Sequence, residues 1–479
     1  MVVLYQALSP LAWAQREFAE AGLGDARLNH RLVKVAAAMA ADPSGSIPRQ
    51  TQSWKDAKGA YRLFDHPRAT FDSMSQAHWR QTRQACLKAS VVLWVQDTTW
   101  LDYSKHPATR GLGWHGPGPK GGSGLFLHSV LGVMPGSSGQ GQVLGLGWGR
   151  MFKRTGEAVN GDQARRSRRR RSVDRESLRW TEAVKQIGPA PAGSVWLHVG
   201  DREADIFELY EQTQALSGVG FVVRVHQDRN ALAGHATAAR LNVRERKSTS
   251  LLELMRAMAE LGEKSLWIGG RGGRAGRWAK LKVCAAAVTL YSPQLHRTGR
   301  ALRCWAVRVW EADPPRGVEA IEWLLLSSQP ATCLNEALQI TEYYSLRWLI
   351  EQYHQCLKSG CGVEQRQLET ATRLEPLIGM LSVVAVRLLQ LSNDARLTPR
   401  KPAGQCVPLE LIQTLGRLLK VPASSLTVAG FTREVAKLGG FLARKSDGDP
   451  GWRTLWRGWQ QLSLIHAGYQ LAWEEKRCG

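Results

Sequence analysis

Apolar residues recur at helical intervals through LAWAQREFAEAGLGDARLNHRLVKVAAAMA (11–40), an alanine-rich stretch broken at Asp42-Pro43-Ser44-Gly45. A second helical stretch, SWKDAKGAYRLFDH (53–66), stops before Pro67, because the residue ahead of a proline is biased out of the helical region. The spacing therefore predicts a small all-helical unit over 1–70. Beyond it the period shortens. VVLWVQD (91–97) is a β-branched run ending in an acid, and LFLHSVLGVM (125–134) and QVLGLGWGRMF (142–152) flank the hairpin signal Pro135-Gly136-Ser137-Ser138-Gly139. A helix is expected over 174–187, a strand over SVWLHVGD (194–201), a helix over 203–216 and a strand over GFVVRV (220–225). Three antiparallel strands followed by helix, strand, helix and strand is the order of a ribonuclease-H-like α/β sheet, a likeness of pattern alone.

From 226 to about 320 basic loops and short strands, among them KVCAAAVTLY (282–291) and RCWAVRVWEA (303–312), predict a β-rich insertion. After WLLLSS (323–328) the pattern is helical to the end, with a proline-containing break near 398–408. The expected organisation is an all-helical unit at 1–70, an α/β core with its β insertion at 71–397, and a helical carboxyl-terminal unit at 398–479.

Composition narrows the class. At 43% hydrophobic and 22% charged the chain is globular, which excludes a disordered tail, a collagen-like chain and a coiled-coil rod. Its 64 Lys and Arg against 41 Asp and Glu leave +23 over 479 residues, a balance that asks for a polyanion. The charge is spread along the chain (Arg27, Arg31, Lys34, Arg49, Lys55, Lys58, Arg62; Arg165 to Arg171; Arg271, Arg274, Arg277), which suits a long duplex path. A single run such as ARRSRRRRS (164–172) is more often a solvated loop, and GGRGGRAGR (269–277) reads equally as a hairpin tip. No basic amphipathic helix or lipidation signal favours a membrane, and the first residues lack a basic segment ahead of an apolar one, so a cytosolic protein is expected. Eight scattered cysteines, only Cys356 and Cys361 close together, read as reduced and mostly packed.

Asp97 and Asp201 each follow an apolar strand, at the carboxyl edge where a ligand can approach an open sheet. Taken singly, such an aspartate is usually a turn or capping residue. A third acid comes from TEYYSLRWLIEQYHQCLKSG (341–360). At about 100° per residue, with Tyr344 at zero, Arg347 falls near 300°, Glu351 near 340° and Lys358 near 320°, an arc of roughly 60°. Leu346, Ile350, Tyr353 and Leu357 occupy a separate apolar stripe that would seat the helix. The plainer reading is an amphipathic helix with Arg347 and Glu351 paired at i,i+4. Three carboxylates suit Mg²⁺, which takes oxygen ligands, and two such ions ~3.5–4 Å apart support in-line phosphoryl transfer.

The strings VQDTTW, HVGDREAD and YSLRWLIEQYHQCLKSG resemble the three active-site blocks of bacterial cut-and-paste transposases of the insertion-sequence-four family, with their D-D-E acids and Y-x2-R-x3-E-x6-K signature. GLGDARLNHRLVKVAA, GAYRLF, FVVR, EWLLL, VVAVRLLQL and LGGFLARKSDGDPGWRTLWRGW extend the resemblance over nearly the whole chain. It implies that Asp97, Asp201 and Glu351 hold two Mg²⁺ ions, with Mn²⁺ able to substitute. It further implies that Tyr344, Arg347, Lys358 and Arg224 clamp DNA phosphates, and that Trp323, 21 residues before Tyr344, stands near a flipped base. Trp323 also reads as one core aromatic among 19 tryptophans. The implied reaction is nicking at the transposon end, hairpin formation, hairpin opening and joining of 3′ ends to target DNA. Arg31, Arg49, Lys55, Lys58 and Arg62 are candidates for recognising the terminal inverted repeat. The carboxyl-terminal helices would pair two protomers on double-stranded DNA, in a bacterial, nucleoid-associated protein.

Two rival functions remain: a nuclease of the same fold that cuts without joining, and a transposase-derived DNA-binding protein without catalysis. Other signals fall away. Gly111-Leu-Gly113-Trp-His-Gly116 matches G-x-G-x-x-G, but Pro117-Gly118-Pro119 follows where a dinucleotide fold needs a helix. Glu351 and His354 form a single Glu-x-x-His pair with no second copy, so His354 is expected at the helix surface. No phosphate-cradling G-x-x-x-x-G-K-[ST] string occurs.

Overall fold

The computed structural model describes residues 8–115, 121–136, 139–154, 176–235, 249–268, 276–291, 301–444 and 447–478. The arginine run at 164–172, the tip at 137–138, Gly116 and all but the last two residues of the 269–277 segment lie outside the described residues.

Four helices come first, α1 (Pro10–Phe18), α2 (Ala26–Ala41), α3 (Ile47–Thr51) and α4 (Trp54–Phe64). Each starts on a side chain that accepts an orphan backbone N–H: Ser9 from Ala12, Asp25 from Arg27, Ser46 from Arg49 and Ser53 from Asp56. The stretch expected to be helical over 11–40 is therefore two helices. Gly24 sits at φ +70°, a conformation that a side chain strains, and Asp25 restarts the helix. The next helix, α5 (Phe71–Cys86), opens on a reciprocal capping box of Thr70 and Ser73.

The sheet elements follow: β1 (Val91–Asp102), β2 (Gly113–His115), β3 (Gly122–Pro135), β4 (Gly141–Phe152), α6 (Leu178–Ile187), β5 (Val195–Gly200), α7 (Phe207–Gln214) and β6 (Val219–Arg224). The chain then builds β7 (Asn230–Ala233), β8 (Thr249–Ser250), α8 (Leu251–Arg256), β9 (Gly262–Ile268), β10 (Arg277–Tyr291), β11 (Ala301–Glu311) and β12 (Glu322–Ser327). All twelve strands join one sheet in the order β2-β3-β1-β5-β6-β12-β11-β10-β7-β8, with β4 on β3 and β9 on β10. β1 runs antiparallel to β3 and parallel to β5, which is parallel to β6. The segment read as an insertion thus prolongs the same sheet, because β12 returns antiparallel to β6.

Helices close the chain: α9 (Leu334–Ser345), α10 (Trp348–Gln355), a π-turn at Cys356–Gly360, α11 (Ala371–Leu397), α12 (Leu409–Leu419), α13 (Val428–Leu438) and α14 (Trp452–Cys478). The protein is thus a mixed α/β structure with a large sheet and helical regions at both ends. α11 is long and apolar enough to cross a membrane, yet 78% of its most apolar window is buried within the fold. One continuous core runs from α1 and α2 through Val92, Leu93, Trp94 and Val95 to α11, and smaller cores lie beneath α7 with β10 and beneath α12 to α14. Seven described cysteines are free thiols, all buried except Cys333.

Two buried joints fix the amino-terminal helices to the rest. Glu17 of α1 meets His78 of α5 at 2.6 Å, with both side chains under 8% exposed. Arg366, buried just beyond the π-turn, donates to the carbonyls of Pro43 and Gly45 between α2 and α3, and to that of Cys361 at 2.7 Å.

The carboxyl-terminal pair α13 and α14 crosses on glycines, and a Cβ at Gly458 would lie 1.6 Å from the Val435 carbonyl oxygen. Backbone cannot yield as a side chain can. Gly458→Ala should therefore separate the two helices and cost about 1–3 kcal/mol, read as a lowered thermal midpoint; an unchanged midpoint would show that the crossing is not tight.

Candidate active site

The parallel ladder between β1 and β5 ends at Val95 opposite Val199. Asp97 and Asp201 each lie two residues beyond that last pair, so the common register carries both to the same sheet edge, on the side that Val95 and Val199 share. β1 does not stop at Asp97 as expected. It continues to Asp102 along β3, where Asp97 faces Ser129. Asp201 leaves its strand and caps a 3₁₀ turn over Arg202–Ala204. One oxygen of each acid is held by a nearby backbone N–H: Asp97 Oδ1 accepts from Thr98 at 2.7 Å, and Asp201 Oδ1 accepts from Glu203 at 2.8 Å.

Glu351 lies in the first turn of α10, which packs on β1. Burial first and the Asp201 charge second push the Asp97 carboxyl up to about 7; the Thr98 N–H and Arg347 oppose the rise, and Glu351 adds to it. The three acids therefore share one electrostatic neighbourhood, but they are not drawn together as ligands. Glu351 Oε1 accepts from Arg347 Nη2 at 2.6 Å, the i,i+4 pair foreseen as the plainer reading. Among the described residues no group of three or more His, Cys, Asp or Glu is gathered closely enough to hold a metal ion. The donor set is nonetheless one of hard carboxylate oxygens, which suits a divalent cation.

The helix carrying these residues is not continuous. α9 ends at Ser345, α10 begins at Trp348 and a π-turn follows, so the single-wheel arrangement is broken. Tyr344 is 4% exposed, with its ring edge-on to Trp323 at 5.5 Å and the Arg347 guanidinium 5.8 Å from its centre. Trp323 stands on β12, half-buried opposite Val309. Tyr344, Trp323, Arg347 and Glu351 thus form one group. Lys358 lies in the π-turn and pairs with Glu364 at 3.3 Å, and Arg224 donates to the Glu322 carbonyl at 3.1 Å.

His354 corrects an expectation. It is buried, not at the surface, with Nδ1 3.9 Å from Asp97 Oδ2 and Nε2 without a partner. Burial foremost, then Lys358, pushes it down to about 3, so it is a neutral imidazole against the acid. A histidine one turn after Glu351 was the available signal, and only the packing of α10 on β1 gives it meaning. Asp205, completely buried, was also passed over; it accepts from Tyr210, Arg229 and the backbone of His226 and Gln227, tying the turn after Asp201 to the exit of β6.

At the amino-terminal helices all five expected contact residues are exposed. Arg31 and Lys55 line a groove of about 600 Å³ with Arg27, His30 and Lys34. Arg31 lies across Gly59, where a Cβ would be 2.5 Å from its guanidinium. Lys58 and Arg62 project from α4, whereas Arg49 is turned onto Asp42 at 2.7 Å.

Comparison with known families matches both helical ends. Residues 10–69, which span α1 to α4, match the family described as transposase DNA-binding. Residues 417–478, from the end of α12 through α14, match the family described as the transposase Tn5 dimerisation domain. Neither match touches the sheet. A transposase DNA-binding unit at one end and the Tn5 dimerisation unit at the other support a Tn5-like transposase.

Proposed function

We propose that this DNA transposase binds terminal inverted repeats through its amino-terminal helices and excises the element by metal-dependent nicking and hairpin formation. It then joins the freed 3′ ends to target DNA as a homodimer in the bacterial nucleoid. The reading rests on a ribonuclease-H-like core, supported by the order β4-β3-β1-β5-β6 with its antiparallel and parallel parts. The observation that carries it is the shared register of Asp97 and Asp201 beside Glu351 and Arg347.

Asp97, Asp201 and Glu351 would hold Mg²⁺, or Mn²⁺ in its place. Bound there, the cations supply Lewis-acid activation of an attacking oxygen and stabilisation of the leaving one. For Glu351 to join the two aspartates it must leave Arg347, and a DNA phosphate is the natural competitor for that guanidinium. Arg347, Lys358, Arg224 and the Tyr344 phenol then hold the backbone beside the cut. His354, neutral and buried, keeps bulk water off one side of Asp97. The exposed part of Trp323 offers an aromatic surface for a base turned out of the stack, which lets the strand bend into a hairpin.

Asp97→Ala, Asp201→Ala and Glu351→Ala should each abolish cleavage with end-DNA binding retained in a gel-shift assay. Loss of binding with normal cutting would refute the assignment. Pre-cut ends incubated with plasmid should yield joined product, which neither a plain nuclease nor an inactive DNA-binding relative would give.

Asp97→Asn should also stabilise the metal-free protein. The folded-state pKa is raised, so between about pH 4 and 7 the unfolded chain ionises this group while the folded one resists, and stability falls as pH rises. The stability gap between Asp97→Asn and wild type should open over that window to on the order of a few kcal/mol and stay level above it; a gap independent of pH would count against the acid cluster.

Trp323→Ala should slow hairpin formation by roughly 10- to 100-fold, the worth of one stacked base, with the first nick little changed; equal loss of both steps would oppose the flipped-base role.

A further inference from the structure

Arg179, in the first turn of α6, is a largely buried cation with no part in the reading above. Its side chain is 11% exposed, and the ion pair it makes among the described residues is with Glu203, itself 62% exposed. A pair with so solvated a partner contributes little stability, so the retention of a buried guanidinium here calls for another reason.

Its hydrogen bonds supply one. Nε donates to Thr98 Oγ1 at 2.8 Å and Nη2 donates to Glu203 Oε2 at 2.8 Å, while Nη1 is held by the Glu176 carbonyl at 2.8 Å. Thr98 and Glu203 are the two residues whose backbone N–H groups grip Asp97 and Asp201. One planar, rigid fork therefore spans the two residues that orient the two acids. The Thr98 hydroxyl, having accepted from Arg179, donates to His128 Nδ1 at 2.8 Å. Gln96 Oε1, which can only accept, takes its hydrogen bond from the Nε2 proton of His128 at 3.2 Å, which leaves Nδ1 of that neutral ring as the acceptor, and Gln96 Nε2 in turn donates to His198 Nδ1 at 2.6 Å. The chain of donors runs one way across β3, β1 and β5 beneath the sheet edge.

We propose that Arg179, acting through Thr98 and Glu203, is the positioning residue that sets the spacing of Asp97 and Asp201 for a divalent cation. The inference rests on the reading of those acids as a metal site. Second-tier partners of this kind commonly govern metal affinity by 10- to 100-fold.

The test is Mn²⁺ binding to the full-length protein without DNA, followed by electron paramagnetic resonance of the free ion. Asp97→Ala should lose binding. Arg179→Met and Thr98→Val should weaken it roughly 10- to 100-fold with gel-shift affinity for end DNA unchanged, and Thr98→Ser, which keeps the hydroxyl, should restore it. If Arg179→Met fails to fold, the Val and Ser pair at Thr98 decides alone. Wild-type Mn²⁺ affinity in Arg179→Met or Thr98→Val, with Asp97→Ala deficient, overturns the positioning role and leaves the metal site standing; undiminished binding in Asp97→Ala overturns both.

Discussion

The parallel pairing of β1 with β5 governs the rest of the molecule, since it decides which side chains meet at the sheet edge. Side chains alternate with a period of two, so a slip of one residue would turn Asp97 to the opposite face and put Gln96 or Thr98 in its place. The register is held by Val92 to Val95, all fully buried, and by ten paired positions with β3 on the other side. Because the β3 ladder continues past Asp97 while β5 ends before Asp201, one acid sits on a strand clamped along its length and the other on a turn.

Such convergence is electrostatically unfavourable in the free protein. Asp97 is pushed toward neutrality, Glu351 is occupied by Arg347, and a neutral histidine backs the cluster. Carboxyl groups with perturbed ionisation of this kind concentrate at functional positions. Arg347 has two potential claimants, an internal carboxylate and an external phosphate. On the proposed reading, its choice between them would couple the state of the acids to the arrival of DNA.

Much of this was legible in the sequence, for identifiable reasons. The strands of the sheet announce themselves through β-branched runs, and the Tyr-Arg-Glu-Lys spacing stands out because its chemistry is repeated by no other segment. The failures are equally physical. Asp97 looked like a strand terminus because an acid followed an apolar run, yet antiparallel pairing carried the ladder on through Thr98 to Asp102. The 341–360 helix was treated as one wheel, and no local residue signals the break at Leu346 and Arg347, where both retain right-handed helical backbone angles. Arg179 carries no motif at all, and the Glu-x-x-His pair gave His354 no role; their surroundings exist only once strands distant in sequence are side by side.

The joints at Glu17–His78 and at Arg366 with Pro43 and Gly45 have a wider meaning. A reader of DNA on a loose tether would have to search for its orientation each time it met an end. Here the helices that would grasp the repeat are riveted to the base of the segment bearing Glu351, so swinging them aside means exposing buried ionic and carbonyl contacts. If the proposed function holds, where the duplex is gripped and how far along it the scissile bond falls would become a single dimension of the folded chain, inherited at folding.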